Sequence, residues 1–148
     1  MALYLDIRDL VRTAWTDGWT HPTVPVFWRS QDVATLPDPR ETHHWLRNEL
    51  RFDQETTVAF GGGPGNNEKL KFGTLIVRVF ADIEMRDDTM ALRLLSDAEA
   101  IFRGQRIGSM SFYGFSGIDG TDAGLPPRDI GNWTTGGTAL NWEYRFTG

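Results

Sequence analysis

The chain has no cysteine among its 148 residues, which excludes disulfide bonds and thiolate metal sites. Positive charge is also scarce, because 15 lysines and arginines stand against 20 aspartates and glutamates, a formal net charge of −5. A protein that grips nucleic-acid phosphates usually has the opposite balance, so we expect no specific binding of DNA. No apolar run approaches the roughly 18 residues that cross a bilayer, and we therefore expect no membrane insertion.

The remaining composition is that of a globular protein. Hydrophobic residues make up 40% of the chain and charged residues 24%, which predicts a single domain over residues 1–148. Six tryptophans and nine phenylalanines are a generous aromatic supply. Aromatic side chains fill protein cores and are also enriched where proteins meet proteins.

Two helices are predicted from apolar residues that recur every three or four positions. The first occupies the opening residues, and we expect Gly18 to end it in the left-handed conformation. The second follows Asp87 and Asp88, either of which can cap its start, and it ends at Gly104. The two apolar stripes comprise Leu3, Ile7, Leu10, Val11 and Ala14 in the first helix, and Ala91, Leu94, Leu95, Ala98, Ile101 and Phe102 in the second.

Alternation of apolar and polar residues predicts strands in "WLRNELRF", "SMSFYGF" and "TALNWEYRFT", and Pro25 places the short segment "VPVFWRS" at a sheet edge. The segment "KFGTLIVRVFADI" predicts one long strand. On it, Leu75, Val77, Val79 and Ala81 are expected to face the helices. The other face carries Thr74, Ile76, Arg78 and Phe80, a mixture that suits partial cover by a neighbouring subunit.

The order of these elements predicts an α+β fold with one mostly antiparallel, mixed sheet and two helices on one face. Pro37 and Pro39 indicate an irregular stretch near residues 29–42. A second stretch, residues 118–137, is predicted to be a loop of about twenty residues, longer than most loops in compact domains. We assign it to contacts with a partner protein, with Trp133 as the anchor.

The glycine run "GGGPGNNEKLKFG" raises the question of a phosphate-binding loop. Such a loop ends in Gly-Lys-Ser/Thr and leads into a helix, whose N-terminus faces the phosphates. Here the ending is missing and a strand follows. Two β-patterned runs around glycine, proline and asparagine indicate a hairpin instead.

Metal and catalytic sites find little support in the sequence. His43 and His44 are adjacent on a strand and point to opposite faces, and His21 lies in an unrelated turn, so all three are interpreted as solvated. The carboxylates from Asp82 to Asp88 could bind Mg²⁺ or Ca²⁺, although helix capping explains them more simply. Asp119 and Asp122 lack the further ligands of a calcium loop. We expect no cofactor, no metal and no catalytic residue.

From about Trp45 to Gly148 the chain resembles the tail terminator-like proteins of long-tailed phages. The resemblance is carried by "WLRNELRF", "TTVAFGGG", "GTLIVRVFADI", "ALRLLSDAEAIFRGQRIG" and the final "NWEYRFTG", and the first helix also has a counterpart. It implies a structural virion protein, assembled in the host cytoplasm. Such a protein forms a homo-oligomer, a hexameric ring that caps the tail tube and joins it to the head-tail connector protein. The ring encloses DNA without binding it specifically.

The residues proposed for contacts with other subunits or with partners are Gly62, Pro64, Asn66, Asn67, Arg78, Phe80, Asp119, Asp122 and Trp133. Two alternatives stay open. One is another neck, tail-completion or head-tail joining protein of the same fold, since a fold does not fix a position in an assembly. The other is a small metal- or ligand-binding enzyme that uses the carboxylates from Asp82 to Asp88.

Overall fold

The computed structural model describes residues 3–28, 44–59, 61–82, 89–118 and 133–148. Within these ranges the chain forms two helices and six strands, and the sheet is curled into a half-barrel. The predicted α+β fold is confirmed. The elements are α1 (Leu3–Gly18), β1 (Val26–Trp28), β2 (His44–Ala59), β3 (Glu68–Asp82), α2 (Thr89–Phe102), β4 (Arg106–Ile107), β5 (Met110–Ile118) and β6 (Trp133–Thr147). The irregular stretch predicted near residues 29–42 lies outside the described residues.

Helix α1 buries Ile7, Val11 and Trp15 against the sheet. Its predicted stripe is confirmed and gains Trp15, which packs edge-on against Phe102 of α2 at 5.7 Å between ring centroids. Helix α1 does end at Gly18, but the left-handed conformation predicted for this residue is wrong, because Gly18 does not have a positive φ. A Cβ atom at this position would lie 3.1 Å from Cγ1 of Ile101, so the missing side chain lets α2 pack close to the end of α1.

Helix α2 buries Leu94, Ala98 and Phe102, as its stripe predicts. Gly104 follows the helix with a φ of 63°, the left-handed conformation expected of a terminating glycine. The proposed caps, Asp87 and Asp88, lie outside the described residues.

The sheet order is β1-β2-β3-β6-β5-β4. Among the described strands, β1 alone is parallel to its neighbour, and it pairs with β2 over three residues, from Val26 opposite Leu46 to Trp28 opposite Asn48. Strands β2 and β3 form the predicted hairpin, and β3 pairs with β6 along its whole length. The short strand β4 was not predicted, because two residues are too few to show alternation.

The core lies between the two helices and the helix-facing side of the central strands. Its buried members from the sheet include Leu46, Leu75, Val77, Leu140 and Trp142. The prediction for the helix-facing side of β3 is therefore confirmed at Leu75, Val77 and Val79, while the side chain of Ala81 lies outside the described residues.

The predicted loop 118–137 is too long. Ile118 is the last residue of β5, and residues 133–137 are already part of β6, where Trp133 lies opposite Asp82 and Gly137 opposite Arg78. Pairing with β3 thus draws the glycine- and threonine-rich segment "TTGG" into the sheet, although its composition favours a loop.

Candidate subunit and partner interfaces

The β2–β3 hairpin projects beyond the helix layer. We call this projection the β-arm: residues 54–59 of β2, the turn 61–67, residues 68–72 of β3 and residues 143–147 of β6. Its β2 segment is exposed except for the half-buried Thr57. At about 3.3 Å per residue, these six residues extend roughly 20 Å. The helix layer ends where Tyr4 of α1 packs edge-on against Phe52, with 4.7 Å between ring centroids.

The tip of the β-arm is a compact turn that carries four of the proposed interface residues. Gly62, Pro64 and Asn66 are exposed there. The amide of Asn66 donates to the carbonyl of Gly63 at 3.0 Å. Asn67 lies at the base of the tip, where its backbone exchanges two hydrogen bonds of 3.1 and 2.9 Å with Gly148. Gly148, which follows β6, is thereby attached to the hairpin.

Charges on the β-arm are largely neutralised across its strands. Lys69 lies 3.7 Å from Glu55, and Arg145 forms an ion pair with Glu68. Exposed ion pairs contribute little stability, about 0–1 kcal/mol each. Val58, which is 44% exposed, is a large apolar residue on the β-arm's outer strand.

Two sheet edges have no strand partner along most of their length among the described residues. On one side β1 covers β2 only at residues 46–48, so the edge from 49 to 59 is open. On the other side β4 covers β5 only at residues 110–111, so the edge from 113 to 118 is open. Both edges carry bulges, at Phe52/Gln54 and Thr57/Ala59 in β2 and around Gly114 in β5. Bulges limit indiscriminate pairing, so each edge is suited to a partner of matching shape.

The second face of β3 is more buried than the sequence predicts. Phe80 is fully buried and stacks on Trp45 with ring planes 5° apart and 3.9 Å between centroids, and Phe27 packs edge-on against Trp45. Arg78 is 9% exposed and Ile76 is 4% exposed. The prediction that this face awaits a neighbouring subunit is therefore wrong at Phe80, because the chain itself covers it.

The remaining proposed interface residues lie mostly outside the described residues. Asp119 and Asp122 fall there, and so do residues 83–88 of the proposed carboxylate cluster. The backbones of Asp82 and Trp133 pair with each other at the end of the sheet, and nothing further is described of their side chains.

The prediction that all three histidines are solvated is wrong at His21, because its ring contacts two other side chains. Its Nε2 lies 2.6 Å from the carboxylate of Asp97 on α2, and its ring packs against Trp19. This contact ties the turn after α1 to α2. Within the described ranges, no three histidine, aspartate or glutamate side chains come together as a metal site.

An acidic groove of about 940 Å³ lies between α1 and α2. Its floor is apolar and includes Leu10, Ile101 and Ile107, while Asp6, Asp9, Asp17 and Asp97 line its sides. Asp9 pairs with Arg8, and Asp97 with His21, but Asp6 and Asp17 have no cationic partner among the described residues.

A second, smaller cleft of about 510 Å³ lies on the other side of α1. We call it the α1–β2 cleft. Its base includes Asn48, which is fully buried, and neither Nδ2 nor Oδ1 of this amide has a hydrogen-bond partner among the described residues. Leaving a buried polar group unpaired costs about 1–3 kcal/mol, so its presence calls for a reason. In the sequence, Asn48 is visible as a polar residue among the apolar positions 46, 50 and 52. That it is buried follows only from the packing of α1 over this part of β2.

No helix among the described residues is both long and apolar enough to cross a membrane. No protein-family model matches the chain, and no curated protein matches it. By contrast, 19 chains of solved structures match its fold. One of them, known only by a sequence identifier, is 16% identical, has a TM-score of 0.59, and aligns over 95% of this chain and 97% of its own length. At this identity the likeness shows a shared fold and nothing more.

Proposed function

We propose that this protein is a ring-forming structural protein of a phage virion, a tail terminator that caps the tail tube and joins it to the head-tail connector. The observation that carries the proposal is the pair of unlike open edges on opposite sides of one sheet. A closed ring requires two different, complementary surfaces on each subunit, so that head-to-tail contacts return to the first subunit.

Strand addition is the physical basis of the contact. An open edge presents unpaired backbone amides and carbonyls, and another strand satisfies them with hydrogen bonds. Among the described residues, the open β2 edge spans residues 49–59 and the open β5 edge residues 113–118. In the proposed ring, the β2 edge of one subunit meets the β5 edge of the next, and the β-arm reaches onto the neighbour.

The charge of the chain supports the same assignment. A ring that surrounds DNA during its passage must not hold it, and a net charge of −5 disfavours contact with phosphates. The resemblance to tail terminator-like proteins, noted from the sequence, supplies the location in the virion and the partners, the tail tube protein and the connector protein.

The decisive experiment measures the assembly of variants that each disable one edge. Val58→Lys places a charge on the β2 edge, and Tyr113→Lys, at a side chain 47% exposed, places one on the β5 edge. We expect the parent protein to form rings by negative-stain microscopy and light scattering, and each variant alone to lose them. Leu92→Lys, at an exposed position of α2, is the matched control and should keep the ring.

Mixing the two edge variants distinguishes a head-to-tail contact from a symmetric one. Each variant retains one intact edge, so the mixture should form one-to-one heterodimers that cannot close. A parent protein that stays monomeric at every concentration would exclude the ring. If the protein forms symmetric dimers and both edge variants still form them, the open strand edges are excluded as the basis of self-association.

A further inference from the structure

The α1–β2 cleft contains two buried polar groups that the described part of the chain leaves unsatisfied. Neither Nδ2 nor Oδ1 of Asn48 has a hydrogen-bond partner there, and the residue is 0% exposed. The Nε of Arg12 is also buried without a hydrogen-bond partner among the described residues. The two side chains line the same cleft, one from β2 and one from α1.

The guanidinium of Arg12 is oriented by an aromatic ring, but its charge is not neutralised by a carboxylate among the described residues. Its guanidinium lies over the ring of Trp28, 5.0 Å from the ring centre, and it has no carboxylate partner among the described residues. The other cation of the cleft, Arg8, is paired with Asp9, and the one carboxylate that lines the cleft, Glu49, is paired with Arg51. Among the described residues that line the cleft, the guanidinium of Arg12 therefore remains as an unpaired positive charge, oriented by the ring of Trp28.

The walls of the cleft are apolar and partly open. Tyr4 is 54% exposed and Leu5 is 50% exposed, and Leu50 and Phe52 continue the apolar surface along β2. Strand β1 ends opposite Asn48, and from residue 49 onward the β2 edge has no strand partner among the described residues. At Asn48 itself that edge is occupied by Trp28, so an extended chain reaches Asn48 through the cleft, over Leu50 and Phe52, and leaves the β2 edge to a neighbouring subunit.

These groups define the chemistry of the occupant. A side-chain amide with a free donor and a free acceptor is complementary to a backbone peptide group, which offers one of each. A guanidinium on an aromatic ring is complementary to a carboxylate, and the walls accept an aliphatic side chain. We propose that the α1–β2 cleft binds an extended, acidic segment of a partner protein, with an aliphatic side chain next to a glutamate or aspartate. This proposal does not depend on ring formation.

The probe is the blocked hexapeptide acetyl-Ser-Val-Glu-Leu-Val-Ser-amide, titrated into the full-length protein. Binding is followed by calorimetry and by the NMR resonances of the Asn48 side-chain amide. We expect saturable binding and a shift of those resonances. Replacing the glutamate by glutamine, or methylating the backbone nitrogen of the central leucine, should each weaken binding about tenfold, the loss of one good hydrogen bond or ion pair.

Two protein variants and one control complete the test. Arg12→Gln should lose the preference for glutamate over glutamine, and Asn48→Leu should lose the effect of backbone methylation. Because Asn48→Leu keeps the branching of the side chain and removes an unpaired polar group, which offsets the larger size of leucine, the variant should fold about as stably as the parent. Arg106→Gln, an exposed position on β4, removes the same charge elsewhere and should bind as the parent does.

Several outcomes overturn the proposal. Absence of binding at millimolar peptide means that the cleft holds only water. Equal binding of the glutamate and glutamine peptides means that Arg12 does not select a carboxylate. Loss of self-association in Asn48→Leu or Arg12→Gln means that the occupant is a second copy of this chain instead of a partner.

Discussion

Gly73 lies where the β-arm leaves the body of the protein, and its replacement by alanine is the sharpest test of the packing there. Gly73 is opposite Phe52 in β2 and opposite Trp142 in β6. Its φ is not in the left-handed region, so the backbone itself would accept alanine. The added Cβ, however, would overlap the carbonyl oxygen of Arg51 and lie 2.5 Å from Cε2 of Trp142.

The expected cost follows from how little these neighbours can move. Non-bonded carbon atoms prefer about 3.5–4.0 Å, so the indole must retreat by roughly 1 Å or more. Trp142 is fully buried, and the backbone of Arg51 is held in the β2–β3 pairing. Overpacking a core costs about 1–3 kcal/mol, and two fixed neighbours place Gly73→Ala near the upper end. Alanine has less conformational entropy than glycine in the unfolded chain, and this difference offsets only about 0.5–1 kcal/mol of the cost.

Chemical denaturation and thermal melting measure the effect directly. A loss of about 2 kcal/mol corresponds to a decrease in Tm of roughly 4–8 °C for a chain of this size. Trp142→Phe removes the outer part of the indole, so its cost should be smaller in the Gly73→Ala background, with a coupling of about 1 kcal/mol. Gly104→Ala, where a Cβ meets nothing within 4 Å, is a control that reports only the left-handed backbone. Unchanged stability of Gly73→Ala, or strict additivity with Trp142→Phe, would refute the packing described here.

Three further predictions follow from the burial pattern. Leu94→Ala should lower the free energy of unfolding by about 2–5 kcal/mol in denaturant titrations, because Leu94 is fully buried. Leu92→Ala, at a side chain that is 56% exposed, should leave the midpoint unchanged, and equal effects of the two substitutions would mean that the buried face of α2 is misassigned. Burial raises the pKa of Tyr113 above its usual value, and the carboxylate of Glu143 raises it further. Because the folded state holds this proton more tightly than the unfolded chain, stability should fall as pH rises above about 10, and Glu143→Gln should lower the pKa of Tyr113 in ultraviolet titration. Limited proteolysis should cut residues 61–67 in the free protein and not in an assembled one, since glycine-rich chain loses much entropy on ordering; equal protection in both would contradict this.

The sequence predicted those parts of the fold that local periodicity controls. The alternation in the long strand identified Leu75, Val77 and Val79 as its helix-facing side, and the stripe through Leu94 identified the buried face of α2, because each pattern repeats the geometry of its own element. Periodicity could not predict which strands pair over long distances in the sequence. Residues 133–137 have a loop-like composition, and they become strand because β3 offers a full-length partner. Periodicity also assigned Phe80 to a face without revealing that Trp45 covers it.

The candidate site was less predictable for a related reason. Asn48 and Arg12 are 36 positions apart in sequence; Arg12 alone resembles an ordinary surface residue, and Asn48 stands out only as a polar residue in an apolar repeat. Only the packing of α1 over β2 buries the amide of Asn48 and the Nε of Arg12, neither of which has a hydrogen-bond partner among the described residues. A polar residue in an apolar repeat is visible in a sequence, but whether it is satisfied depends on tertiary contacts that no local pattern contains.

Helix α1 separates two surfaces of opposite charge, and this arrangement allows their roles to be tested independently. Asp6 and Asp17 line the acidic groove on one side, and Arg12 lines the α1–β2 cleft on the other. Between them Ile7 and Val11 fix the helix on the sheet with no exposed surface. A substitution in that buried stripe loosens both surfaces at once and cannot distinguish them. Asp17→Asn and Arg12→Gln each alter one side and leave the packing of α1 intact, so a partner that responds to one and not the other is thereby assigned to its side of the helix.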